Sequence, residues 1–432
     1  MFSGNTNLKE VQQIRPLENS KDLDPLIEKI GNSKYVLLGE ASHGTHEYYT
    51  WRAEISKRLI EEKGFSFIAV EGDWPDCFKI NRWIKDLPDA SNSIVEVLKE
   101  FRRWPTWMWA NWEIAAFADW LKTHNNSLEF DKKVGFYGLD VYSLWESMET
   151  IVKYLEKEDP ETAALARQTA DCFEPYREND SYVTAYRGLK QKCRNEVVQL
   201  LKEVRQRTDQ YENEPEAGLN AELNSLVLKN AEKYYEAMAQ FDHSSWNVRD
   251  NHMVETLNTL MDYHGKDAKV IVWEHNTHIG DARATDMAAS GLHNVGQLVR
   301  QQHKKDGVVL VGFGSYEGSV VAGEFWGAPM EKMELPRAID GSIEKMLHTL
   351  GAENKLLVFE EGSELNKRLK EKIGHRAVGV VYDPHRERGN YVPSKTAKRY
   401  DAFLYLDKTQ GLHPLHFKPD GSKTPDTYPF GI

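Results

Sequence analysis

The 432-residue sequence predicts an α/β fold: a central, mostly parallel sheet flanked by helices, with a mainly helical region inserted into it. Three observations carry this. Short apolar runs recur and end in a polar or acidic residue. Helical patterns separate several of them. A long middle stretch holds no comparable run.

The runs are YVLLGE (Tyr35–Glu40), FIAVEGD (Phe67–Asp73), VGFYGLD (Val134–Asp140), VIVWEHN (Val270–Asn276), VVLVGFG (Val308–Gly314), AVGVVYD (Ala377–Asp383) and AFLYLD (Ala402–Asp407). Continuous apolar runs of this length read as strands buried on both faces. After Gly44, THEYYTWRAEISKRLIEE reads as an amphipathic helix that Gly64 stops. From Ser143 to His264 helix formers dominate, as in Glu196–Arg207 and Ala221–Met238, with a polar, Pro-containing break at Arg207–Ala217. The expected organisation is therefore 1–142 as the first part of the α/β core, 143–265 as the helical insertion and 266–432 as the second part. The glycines from Gly312 to Gly318 have the wrong spacing for a dinucleotide fingerprint and read as a tight strand-end turn. The tail after Leu406 reads as a surface extension.

Composition narrows the function classes. Lys and Arg number 55 against 67 Asp and Glu, a net charge of −12, which argues against a general nucleic-acid grip. No run approaches the roughly 18–20 apolar residues of a membrane span. The first twenty residues carry no apolar core of a secretory signal. Three cysteines (Cys77, Cys172 and Cys193) form no CxxC pair. Their odd number and spacing argue against a disulfide scaffold and a thiolate zinc site and fit a cytoplasmic protein.

In an open α/β sheet, ligands bind beyond the carboxyl ends of the strands. Those ends offer Glu40 and His43, Glu71 and Asp73, Asp140, then Glu274, His275 and His278. Acids and imidazoles at converging strand ends suit proton-transfer chemistry. His43 just precedes a helix, whose dipole disfavours imidazolium, while Glu40 and Glu71, if near, would hold its tautomer or favour the charged form, so the balance stays open; the alternative is that it only packs the turn. Arg52, further along that helix, either stabilises an oxyanion or makes a surface ion pair. Arg249 and Asp250 start a later helix and either line the cleft or, for Asp250, cap it.

Other chemistries are weaker. His43-x-x-His46 and His275-x-x-His278 suggest a metal, but the HExxH pattern fails at its second His and the pairs sit at strand–helix turns. The expectation is no metal and no cofactor. There is no G-x-S-x-G elbow and no P-loop. Trp104, Trp107, Trp109 and Trp112 either wall an apolar pocket, with Trp107 as its contact, or pack as core.

Taken together, Leu37–Asp76, Gly135–Ser143, Arg249–Met253, Val272–Asp281 and Arg399–Asp407 resemble the erythromycin esterase-like family, in the family's order and over most of the chain. The resemblance implies an α/β core with an inserted helical region. It also implies metal-independent hydrolysis, of a macrolide lactone in the antibiotic-resistance members, with a His activating water. Other members carry broader labels, one of them succinoglycan biosynthesis. By this resemblance His43 is the base, Glu40 its neighbouring acid, Glu71 the acid of the V-E-G-D-W motif and Arg52 the helix arginine. His275 and His278 match the two later histidines. Glu274 stands where the family often has a small residue, which makes the surroundings of His275 more acidic.

The expectation is a cytoplasmic hydrolase of a small-molecule ester or lactone, with no nucleic-acid or membrane partner. His43, Glu40, Glu71, His275 and Arg52 are the catalytic candidates. His46, His278, Glu274, Asp73, Arg249 and Trp107 are the substrate-binding candidates. A metal-dependent hydrolase or phosphoesterase and a non-catalytic binding protein are the alternatives.

Overall fold

The computed structural model describes residues 13–415, except 89, 174–191, 208–209, 212–213 and 240–243. The described residues form two compact units. One holds those up to Phe65, Pro105–Phe117 and those from Lys269 onward; the other holds Ser66–Trp104 and Ala118–Ala268.

The fold is α/β, with a mostly parallel sheet. Numbered along the chain, the first unit contributes β1 (Ile14–Pro16), β2 (Tyr35–Leu38), β5 (Val270–Trp273), β6 (Val308–Gly323), β7 (Met330–Leu335), β8 (Lys355–Val358) and β11 (Ala402–Thr409). At its centre β11, β6, β2 and β5 run parallel to their neighbours in that order. Antiparallel partners flank them: β8 pairs β11, β1 pairs β8, and β7 pairs β6. Every residue of β2 and β5 is buried, as their unbroken apolar sequences require. β9 (Ile373–Arg376) and β10 (Tyr391–Ser394) form a separate antiparallel pair.

The helix that follows β2, α1 (His46–Lys63), buries Tyr48, Arg52, Ile55 and Leu59 at three- and four-residue spacing. It ends where the sequence places its stop. Gly64 adopts φ 66°, and its N–H closes on the carbonyls of Ile60 and Leu59.

In the second unit β3 (Phe67–Asp73) and β4 (Gly135–Asp140) pair in parallel. Helix α2 (Trp74–Lys85) follows β3 directly. Then come α4 (Leu144–Glu158), α5 (Pro160–Phe173), α6 (Lys192–Arg207), α7 (Ala217–Ala239) and α8 (Ser244–His264). Leu144, Met148, Ile151 and Leu155 form one face of α4 and pack with Val197 and Leu200 of α6 and Leu228 of α7. Fully burying each such side chain contributes about 1.5–3 kcal/mol before entropy is counted, so this core holds the helices together without a sheet of its own.

Four expectations are corrected. The glycines from Gly312 to Gly318 make no turn, because Val308–Gly323 is one continuous strand. Gly312 is needed there for packing, since a Cβ on it would lie 2.6 Å from the Tyr400 ring. Ala377–Asp383 is not a strand and makes only isolated bridges, Val378 to Ser42 and Val381 to Gly323. Asp250 lies inside the helix, past the first turn of α8, and not at its start. Finally, Cys172 of α5 and Cys193 of α6 form a disulfide. Helix pairing brings together two cysteines that their sequence spacing does not suggest, so the thiol-based reading of the compartment loses its footing. No helix among the described residues is long and apolar enough to cross a membrane. The described part of the tail extends β11 to Thr409 and runs to residue 415; the rest lies outside the described residues.

Candidate active site

In the first unit, β2 and β5 lie side by side in parallel with Leu38 opposite Trp273. The register makes G-E-A-S-H (Gly39–His43) and E-H-N-T-H (Glu274–His278) leave the sheet as neighbours. Backbone hydrogen bonds fix them: Asn276 N–H donates to the Glu40 carbonyl at 2.8 Å, and Gly39 N–H donates to the Val311 carbonyl at 2.8 Å. Gly39 is required by this close approach, because a Cβ there would lie 2.1 Å from Asn276 Oδ1.

His43 stands at the mouth of this arrangement, buried but for 7% of its surface. Its Nδ1 lies 2.8 Å from Glu40 Oε1. The other oxygen of Glu40 accepts from Arg52 Nη2 at 2.6 Å. A carboxylate held by a guanidinium is an acceptor, so His43 Nδ1 is the donor. Arg52 is wholly buried. Its guanidinium stacks 4.4 Å from the Tyr49 ring and 4.8 Å from the Trp273 ring. It therefore reaches Glu40 rather than a surface carboxylate. The Tyr49 hydroxyl donates to the His43 carbonyl at 3.2 Å, fixing the loop from below.

His275 faces His43, with ring centroids 4.9 Å apart and planes inclined by 41°. It is also the N-cap of α9 (Asn276–Ile279): its Nδ1 accepts from Thr277 N–H at 3.3 Å and lies 2.8 Å from Thr277 Oγ1. Accepting at Nδ1 puts the proton of the neutral ring on Nε2. For neutral rings these Nδ1 partners favour opposite tautomers, Nδ1–H at His43 and Nε2–H at His275.

The remaining first-unit candidates are placed as follows. Glu274 and His278 are buried on either side of His275. Trp107 is fully buried, and its carbonyl accepts from Asn111 Nδ2 at 2.8 Å. Trp109 is buried too, whereas Trp112 is 55% exposed. His46 is bound to Glu113 of α3 (Trp112–Asn125), Nδ1 to Oε1, at 2.6 Å.

The second unit gathers its own charges at the ends of β3 and β4. Arg249 donates from Nε to Asp140 Oδ1 at 3.0 Å and from Nη2 to Asp140 Oδ2 at 2.7 Å; Nη2 also reaches Glu71 Oε1 at 2.7 Å. All three side chains are buried, and the guanidinium lies 4.8 Å from the Tyr142 ring. Asp73 pairs with Arg103 at 3.1 Å. Burial pushes the Asp73 carboxyl up to about 8 in spite of that arginine. His252 of α8 lies with Nδ1 3.0 Å from Asn230 Nδ2 and Nε2 3.2 Å from the Asp140 carbonyl, and burial lowers its pKa to about 4.

Sequence reasoning does not find Thr277, Tyr49, Glu113 or His413. Thr277 had a local signal, standing two residues after a possible N-cap at His275. Nor does it find the buried pair His375–Glu344, 2.7 Å apart, whose His375 Nε2 lies 3.2 Å from Asn276 Nδ2. That contact helps to hold the residue between His275 and Thr277. Nothing local in either sequence segment marks it.

Comparison with known proteins agrees with this fold. The erythromycin esterase family model matches residues 60–409, and the chain belongs to that family. It is 23% identical over 424 residues to erythromycin esterase type II of Escherichia coli, covering 91% of this chain and 94% of that one. Among solved structures it resembles a succinoglycan biosynthesis protein, with TM-score 0.75, 21% identity and coverage of 94% and 97%. It also resembles a mutant of the erythromycin esterase EreC in its open conformation, with TM-score 0.67, 13% identity and coverage of 93% and 96%.

Proposed function

We propose that this member of the erythromycin esterase family hydrolyses a carboxylic ester or lactone with water activated by His43. The observation that carries this reading is the pair of facing imidazoles, one held by Glu40 and the other by Thr277. Ester hydrolysis needs a proton acceptor for water and a proton donor for the oxygen that becomes negative. His43 Nε2 takes a proton from water as the water oxygen bonds to the carbonyl carbon. The carbonyl π electrons move to its oxygen, where the His275 Nε2–H stabilises them. When the tetrahedral intermediate collapses, the bond to the alcohol oxygen breaks and His43 returns the proton to it. Acid and alcohol leave, and the imidazole is neutral again.

Glu40 favours the imidazolium form of His43 during the cycle, and Arg52 holds Glu40 in place. Arg52 is thus a positioning residue. Glu71 remains a candidate acid on the family resemblance. A macrolide lactone is one member of the substrate class to test, beside simpler esters.

The experiment is steady-state turnover on a panel of p-nitrophenyl esters and macrolide lactones. Wild type is expected to turn over at least one class, and His43→Gln is expected to lose about 10²–10⁴-fold in kcat with an unchanged circular-dichroism spectrum. A variant that keeps half the wild-type rate would remove His43 as the base. Ligand-induced thermal stabilisation without turnover on any substrate would support a binding protein instead. Protein stripped with a chelator is expected to keep its rate. Activity lost on stripping and restored by zinc would move the chemistry to a metal.

A further inference from the structure

His46 belongs to no step above, yet it is held more elaborately than a surface histidine needs. Glu113 Oε1 lies 2.6 Å from His46 Nδ1 and 2.7 Å from His413 Nδ1. The two rings meet edge to face with centroids 5.2 Å apart. Three segments far apart in sequence therefore deliver two imidazoles and one carboxylate to one point. Their candidate ligand atoms all lie within 4.8 Å of one another.

The backbone beneath them is pinned on both sides. His46 N–H donates to the Gln410 carbonyl at 2.9 Å, and Leu412 N–H donates to the Gly44 carbonyl at 3.0 Å. On the other side, Trp112 N–H donates to the His413 carbonyl at 3.0 Å and Leu415 N–H to the Ala110 carbonyl at 2.9 Å. The segment carrying His413 is thus laced between the starts of α1 and α3. The side chains rest on fixed backbone, so little ordering entropy remains to be lost on binding. The neighbouring Glu47 ties down the same backbone, its oxygen accepting from Gln410 N–H at 2.9 Å.

We propose that His46, Glu113 and His413 bind a divalent transition-metal ion of the zinc class. Two imidazoles and a carboxylate are an established donor set for zinc, with the fourth position left to water. Ligand atoms about 2.0–2.1 Å from such an ion stand about 3.3 Å apart, so the hydrogen-bonded atoms need to separate by only a few tenths of an ångström each. Access is open on one side, because the His413 side chain is 55% exposed while that of Glu113 is 4% exposed. The ion would tie the start of α1, three residues after His43, to α3 and to the segment after β11. It touches no reacting atom, so the site stands apart from the proposed hydrolysis.

The test is Zn²⁺ titrated into metal-free full-length protein, with binding followed by equilibrium dialysis and metal analysis. One ion per chain is expected, together with a zinc-dependent rise in thermal midpoint. His413→Ala and Glu113→Gln are each expected to weaken binding by roughly tenfold or more. His385→Ala, at an exposed histidine elsewhere, is expected to leave it unchanged. Glu113→Gln keeps the shape of the cluster and gives the answer if His413→Ala fails to fold. Absence of stoichiometric zinc in wild type, or equal affinity in wild type and both cluster variants, would reduce the cluster to a hydrogen-bonded surface triad. Turnover by the metal-free protein is read separately, so failure of this site and failure of the hydrolase reading are distinguishable.

Discussion

Each unit buries an arginine against carboxylates, with an imidazole close by, and the two clusters behave as different kinds of object. In the first, Arg52 and His43 share Glu40, so the imidazole sits on a carboxylate. In the second, Arg249 spans Asp140 and Glu71, and the buried His252 sits between the Asp140 carbonyl and the Asn230 side-chain amide. A carboxylate neighbour favours a protonated imidazole; at His252 burial outweighs the nearby Asp140 and Glu255 and lowers the pKa. The same residue types therefore give the imidazole a carboxylate partner in one unit and a backbone carbonyl partner in the other.

This contrast is most exposed to arginine removal. Arg249→Met leaves Asp140 and Glu71 buried without their cation. It is expected to cost about 3–5 kcal/mol in urea unfolding. A loss under about 1 kcal/mol would mean that the lattice is already solvated. Next comes acid. The folded pKa of His252 is about 4, below its ordinary 6.5. Its contribution is therefore fully present above pH 6.5 and fades as the pH falls toward 4, because the unfolded chain binds the proton first. The full difference is on the order of 3 kcal/mol. His252→Gln should flatten that part of the stability–pH curve; an unchanged slope would assign the acid sensitivity elsewhere.

Arg52→Met tests the other side of the comparison. Glu40 then loses one partner but keeps His43, which can hold a proton and supply the missing positive charge. The expected stability loss is smaller, about 1–3 kcal/mol. It should come with a shift of the acid limb of kcat/KM to higher pH, and a variant with wild-type profile and rate would deny Arg52 any positioning role. The smallest effect is expected at Thr277→Val. It removes one neutral hydrogen bond from His275 Nδ1 while the backbone N–H remains, so turnover should fall by about five- to tenfold. No change in rate would show that the backbone alone fixes the tautomer.

Much of the fold was legible because strands buried on both faces must be apolar throughout. Tyr35–Leu38, Phe67–Asp73 and Val270–Trp273 stand where their sequences place them. The helix stop at Gly64 was legible for an equally local reason, its left-handed backbone. Val308–Gly323 was misread because glycine signals a turn unless a neighbouring ring or strand needs the space, and Tyr400 lies 88 positions beyond Gly312. Arg52 was recognised as important without its partner being evident, since a helix face gives direction but not the identity of what it meets.

The sequence by itself determined the α/β class, the acids and imidazoles at strand ends, and the membership that their ordered motifs carry. Each of these is a local property of a short segment, set by apolar periodicity or by a few adjacent side chains. Only the tertiary structure decided which groups share protons: His43 with Glu40, His275 with Thr277, His46 with Glu113 and His413. The first two pairs are close in sequence but need the turn geometry after each strand, and the third joins segments 67 and 300 residues apart; a hydrogen bond is won or lost over less than an ångström.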